Sequence, residues 1–140
     1  MGIIHTFRLI ILVLIVSSCT AQQLPLGLGT LIGTIGIFEG NCMPSPGVAP
    51  CHPSPISTTV YITSPSENFK VELLKDSVVT NELGKFSINL PVGDYSLFLK
   101  DGKDVVCSEM RCNTGCLCSP LEIVRDSTTR ISTNLDHASW

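Results

Sequence analysis

The clearest pattern along the chain is a period of two in its apolar residues, interrupted by Gly, Pro and Asn. From Thr30 onward, Leu31, Gly33, Ile35 and Ile37 fall on one face of an extended segment, and Gly33 and Gly36 mark a bulge or a close backbone approach. Thr59–Thr63 and Phe69–Leu74 predict two further strands, the second from Phe69, Val71 and Leu73 alternating with Lys70 and Glu72. Asn81-Glu82-Leu83-Gly84 predicts a turn. Phe86, Ile88 and Leu90 then alternate with Lys85, Ser87 and Asn89, the signature of a sheet with one buried face.

Pro91-Val92-Gly93 turns the chain again, and Tyr95, Leu97 and Leu99 face one way while Ser96 and Lys100 face the other. Asp101-Gly102 suits a tight hairpin. Val105-Val106, Leu121–Val124 and a last strand through Ile131, Thr133 and Leu135 complete the series. No stretch of the mature chain carries a helical period. About seven short strands with regular turns predict an all-β fold, an antiparallel β-sandwich.

The first twenty residues break this pattern. Met1 to Arg8 is weakly basic, and Leu9–Val16 is an unbroken apolar run, too short for the roughly 20 residues of a membrane-spanning helix. A signal peptide over residues 1–18 fits that order of segments, with an uncleaved anchor or a buried strand as the alternative. Thr20–Gly29 is uncharged and rich in Gly and Pro, so residues 19–29 read as a tether and 30–140 as the domain.

Charge excludes one partner class. The chain has 12 acidic and 9 basic residues, and loss of Arg8 with the signal leaves a net charge of −4 with Lys and Arg scattered singly. Counterion release from nucleic acid has no basic patch to act through.

Beyond Cys19 there are six cysteines, Cys42, Cys51, Cys107, Cys112, Cys116 and Cys118, an even number that in an exported chain reads as disulfides. Cys42 and Cys51 bracket a Pro-rich loop and form the first pair; Cys107 with Cys118 and Cys112 with Cys116 form one arrangement of the rest. A metal or redox site built from Cys107 to Cys118 is the competing reading, although C-x4-C-x3-C-x-C lacks paired C-x2-C knuckles.

Candidate catalytic groups are sparse. His52 and His137 are the two histidines beyond the signal, and Asp76, Asp101, Asp104, Glu109 and Asp126 match no calcium loop of the EF-hand kind. Neither H-E-x-x-H nor G-x-S-x-G occurs. These residues call for no catalytic role, no resident metal and no cofactor. Met43-Pro44-Ser45-Pro46-Gly47 reads either as an extended recognition segment or as a rigid clamped loop.

Two resemblances sharpen this. Val16-Ser17-Ser18-Cys19 resembles the lipobox of bacterial lipoproteins, which implies cleavage before Cys19, diacylglycerol on its thiol and a further acyl chain of the palmitate type on its amine. Ordinary cleavage after Ala21 is the alternative. Thr20 is not the Asp that in enterobacterial lipoproteins implies inner-membrane retention, so the resemblance points to the outer membrane.

Thr80-x-x-x-Gly84-x-Phe86 followed by Leu90-Pro91-x-Gly93-x-Tyr95 resembles carboxypeptidase regulatory-like domains, and the opening Gly33-x-x-Gly36-x-x-Glu39-Gly40-Asn41 and ending Asp136–Trp140 resemble small lipoproteins of this type in Bacteroidota. That likeness implies a transthyretin-like (prealbumin-like) sandwich. The expectation is a non-catalytic envelope lipoprotein, a binding or scaffolding module held at the membrane with an unidentified protein or glycan partner. The runner-up is a metal-binding or redox-active carrier using the Cys107–Cys118 loop.

Overall fold

The computed structural model describes residues 27–140. Among the described residues there are eleven strands: β1 (Leu28–Asn41), β2 (Ser54–Pro55), β3 (Thr59–Thr63), β4 (Leu74–Val79), β5 (Lys85–Pro91), β6 (Gly93–Asp101), β7 (Asp104–Val106), β8 (Met110–Cys112), β9 (Cys116–Cys118), β10 (Pro120–Ile123) and β11 (Thr128–Ser139). Seven of them are four residues or longer, and they build a β-sandwich.

In the first sheet β1 lies centrally. It pairs with β11 along one edge, and with β5 and then β2 along the other. The second sheet runs β4-β3-β6, with β10 and β7 sharing the far edge of β6. One pairing departs from the antiparallel expectation: β1 and β11 are parallel over twelve residue pairs, Thr30↔Thr128 to Asn41↔Ser139. Every other pairing is antiparallel.

The predicted alternation places the core. Leu31, Ile35 and Ile37 of β1, Phe86 and Leu90 of β5, and Tyr95, Leu97 and Leu99 of β6 are buried between the sheets with Val60, Ile62, Ile123 and Leu135. At Gly33 the absent side chain matters, because Phe86 and Ile131 flank it in register and the Phe86 ring occupies the space a β-carbon would take. Aromatic cover of this kind recovers packing that glycine forfeits in a strand.

The turn after β4 explains the first motif. Thr80 is buried; its hydroxyl donates to Ile56 O at 2.7 Å and accepts from Thr58 N, tying one flank of the sandwich. Asn81 Oδ1 accepts from the Leu83 and Lys85 amides. Gly84 follows at φ +68°, with its backbone against the Ile35 carbonyl, an approach that excludes a side chain. The second motif makes a corner between sheets, where Tyr95 donates its hydroxyl to Pro91 O at 2.8 Å. Both motifs are thus folding devices.

One predicted strand changes. Phe69–Leu74 is not a strand: Val71–Leu73 form a 3₁₀ turn, and β4 begins at Leu74. Phe69 instead lies across the outer face of the second sheet, 5.2 Å from Tyr61 and 5.7 Å from Phe98 between ring centroids. Tertiary packing of one aromatic ring overrides a short local alternation. As a consequence the face of β6 carrying Ser96 and Phe98 is buried too, with the Ser66 amide donating to Ser96 Oγ.

Candidate functional site

Chain direction concentrates distinctive groups at one end of the sandwich. β1 advances 13 residues from Leu28 to Asn41, about 43 Å at strand rise. At the Leu28 end sit the Pro91–Gly93 corner and Asp126, whose amide donates to Leu28 O. Because β11 runs parallel to β1, its last residues reach the opposite end together with Asn41. The β6–β7 turn and the loop after Asn41 meet there as well.

That loop is closed by a Cys42–Cys51 disulfide. Cys42 is anchored by its amide donating to Ser139 O, and the Met43 amide donates to Asn41 Oδ1, so the loop springs from a fixed base. Its apolar side chains face out: Met43 is 53% exposed, Val48 66% and the adjoining Trp140 59%. Together with Pro44, Pro50 and the disulfide they line a groove of about 370 Å³.

Trp140 is not loose. Its ring stands edge-on to Phe38 at 5.7 Å, and its indole N–H donates to the Asp136 carboxylate at 2.9 Å. A held aromatic beside a stiff loop presents apolar area at low ordering cost, the physical requirement of a recognition surface. Of the Pro-rich stretch Met43–Gly47, Met43, Pro44 and Ser45 line this groove, but Trp140 had no local signal; only the parallel β1–β11 pairing brings it there.

A second groove at the same end, about 350 Å³, is lined by Ile37, Ser57, Thr58, Lys100, Asp101 and His137 among others. His137 Nε2 lies 2.8 Å from Asp101 Oδ2, linking the two sheets. The hydrogen bond to Asp101, then its charge, with smaller contributions from Glu39 and Asp136, holds the imidazole above its ordinary pKa.

A His-Asp pair invites comparison with hydrolase sites, but the neighbouring hydroxyls are committed elsewhere. Ser57 Oγ donates to Thr80 O and Thr58 Oγ1 to Lys100 O. Neither is aimed at the imidazole as a nucleophile would be. A roomier groove, about 470 Å³ beside Gly33 and Phe86, is bordered by Thr34, Lys85 and Arg130, and no His, Cys, Asp or Glu lines it.

Three of the other acidic candidates lie away from the His137 groove. Asp76 Oδ1 accepts from the Ser77 amide, Glu109 pairs with Arg111 at 2.9 Å on an exposed arm, and Asp126 sits in a turn at φ +53°. Asp104 faces Asp101 across the hairpin. His52, at the outer edge of the clamped loop, is exposed. Among the described residues no three His, Cys, Asp or Glu side chains converge as a metal site would require.

The remaining cysteines form Cys107–Cys118 and Cys112–Cys116. With their sulfurs joined in pairs, none is a thiolate available to a metal in this form. The Cys107–Cys118 bridge spans the gap between β7 and β10 on the edge of β6, where Ser108, Ser119 and Thr133 join hydroxyls and close that flank. Beyond it β8 and β9 project as a hairpin outside both sheets. Cys19, the expected lipid attachment, lies outside the described residues, as do the expected signal peptide and residues 19–26 of the expected tether. Among those described, no helix is long and apolar enough to cross a membrane.

No family model and no curated protein matches the chain. Among solved structures it is similar to the TIE protein of Bacillus anthracis, at 15% identity and TM-score 0.45 over 79% of this chain and 17% of that one. It is also similar to a minor pilin of the gram-positive pathogen Streptococcus agalactiae, at 13% identity and TM-score 0.44 over 82% of this chain and 47% of that one. The chain spans less than half the length of either.

Proposed function

We propose that this protein is a non-catalytic envelope lipoprotein, anchored through lipid on Cys19, most simply to the outer membrane, which presents the Cys42–Cys51 loop and Trp140 to a protein or glycan partner. The observation that carries the reading is polarity of the fold: the chain enters the sandwich at Leu28, and the apolar loop surface sits at the other end of β1, about 43 Å away. A tether at the entry end would hold that surface outward. The lipobox resemblance supplies the anchor, and two or three acyl chains are what durable membrane attachment needs.

The test is crosslinking in cells with a photoreactive residue at Val48, against the same residue at Leu83, which is 60% exposed but away from the groove. The reading expects a discrete adduct from Val48 that disappears in Trp140→Ala and none from Leu83. Equal adducts from both positions, or none from Val48, would remove the binding role.

A further inference from the structure

We propose that the Cys112–Cys116 bridge is a thiol–disulfide exchange site, opened by an exported dithiol donor, while the other two bridges remain closed staples. The three bridges differ in access. Cys42 and Cys118 are buried, so each of their bridges has one half shielded by the fold. Cys112 is exposed and Cys116 half-buried, so this bridge alone lacks a buried half.

Position separates it further. Cys112 and Cys116 face each other in register across β8 and β9, a two-stranded sheet that pairs with neither layer of the sandwich. The loop between them is Asn113-Thr114-Gly115, closed by the Asn113 amide donating to Gly115 O, and space beside Gly115 is open. The base of the arm is held independently. Cys118 donates its amide to Ser66 O, Ser119 donates its own to Glu109 O, and the Cys107–Cys118 bridge crosses below. Opening the tip therefore removes no contact of the core.

The exchange balances as two displacements. A donor thiolate attacks Cys112 Sγ, the Cys112–Cys116 bond breaks, and Cys116 leaves as a thiolate that takes up a proton. The donor's second thiolate then attacks its own sulfur of the mixed disulfide and releases Cys112, so the donor departs oxidised and the arm has gained two electrons and two protons. The reverse sequence restores the bridge. This site is separate from the clamped loop and stands whether or not that loop binds a partner.

The experiment exposes the folded, oxidised protein to graded dithiothreitol, quenches with acid, alkylates and maps each cysteine by peptide mass. Access predicts that Cys112 and Cys116 are reduced at least about 100-fold faster than the other four, which must await local opening. Far-UV circular dichroism and the urea midpoint stay unchanged after this selective step. In Cys116→Ser, Cys112 takes up one glutathione from oxidised glutathione while the other two bridges remain intact. Reduction of all three bridges together, loss of the fold on opening the tip, or scrambled pairing in Cys116→Ser would overturn the proposal.

Discussion

Gly84 and Gly102 share a positive φ of similar size, +68° and +58°, yet have very different surroundings. A β-carbon at Gly102 would meet nothing within 4 Å, whereas at Gly84 it would fall on the Ile35 carbonyl. Replacing either by Ala incurs about 1–2 kcal/mol for a left-handed backbone at an L residue. Gly84→Ala must also push two strands apart at a junction where Ile35 N–H donates to Gly84 O at 2.8 Å and Ile56 N–H donates to Ile35 O at 3.3 Å. Weakening both adds about 1–3 kcal/mol at roughly 0.5–1.5 each. The expected losses are thus about 1–2 kcal/mol for Gly102→Ala and about 2–5 for Gly84→Ala. Urea unfolding followed by far-UV circular dichroism reads the difference, since a slope of about 1–3 kcal/mol/M converts it to a resolvable midpoint shift. Equal losses in the two variants would refute the close approach of the turn to β1 and, with it, the account of the first motif.

Cys42→Ser with Cys51→Ser should lower stability by a little under about 3 kcal/mol, the chain-entropy value for a loop of this length, with the sandwich retained by circular dichroism. A loss near zero would show that the clamp does not constrain the unfolded chain. Tyr95→Phe should lose about 0.5–1.5 kcal/mol in the same assay through its bond to Pro91 O, and an unchanged midpoint would discount that corner. His137 is raised by Asp101, so its contribution is complete below the unfolded histidine pKa and fades as pH climbs through the folded value. Proton NMR should show its titration moving down in Asp101→Asn, and an unmoved titration would dismiss the link between the sheets.

Where neighbours in sequence shared a buried face, the pattern was sufficient: Leu31, Ile35 and Ile37, or Phe86, Ile88 and Leu90, needed only the two-residue period and a turn beside it. Turn chemistry at Asn81–Gly84 and Pro91–Gly93 was legible for the same reason, since the required backbone conformations are local. Phe69 misled because its partners, Tyr61 and Phe98, come from other strands and reward a loop that crosses the sheet. The parallel β1–β11 pairing is likewise long-range, with Thr30 and Thr128 separated by 98 positions, and no local period encodes it. The site inherits that gap. Met43–Gly47 announced itself by proline, but Trp140 beside it and Asp101 beneath His137 are products of topology.

The central claim is a disulfide-stapled sandwich tethered by lipid at Cys19. The most direct measurement is intact mass of the protein purified from membranes in air, alkylated under denaturing conditions before and after reduction. The account predicts residues 19–140 plus acyl chains, with six alkylations that all require reduction. A mass with no lipid, or cysteines alkylated without reduction, would contradict the anchor or the staples respectively.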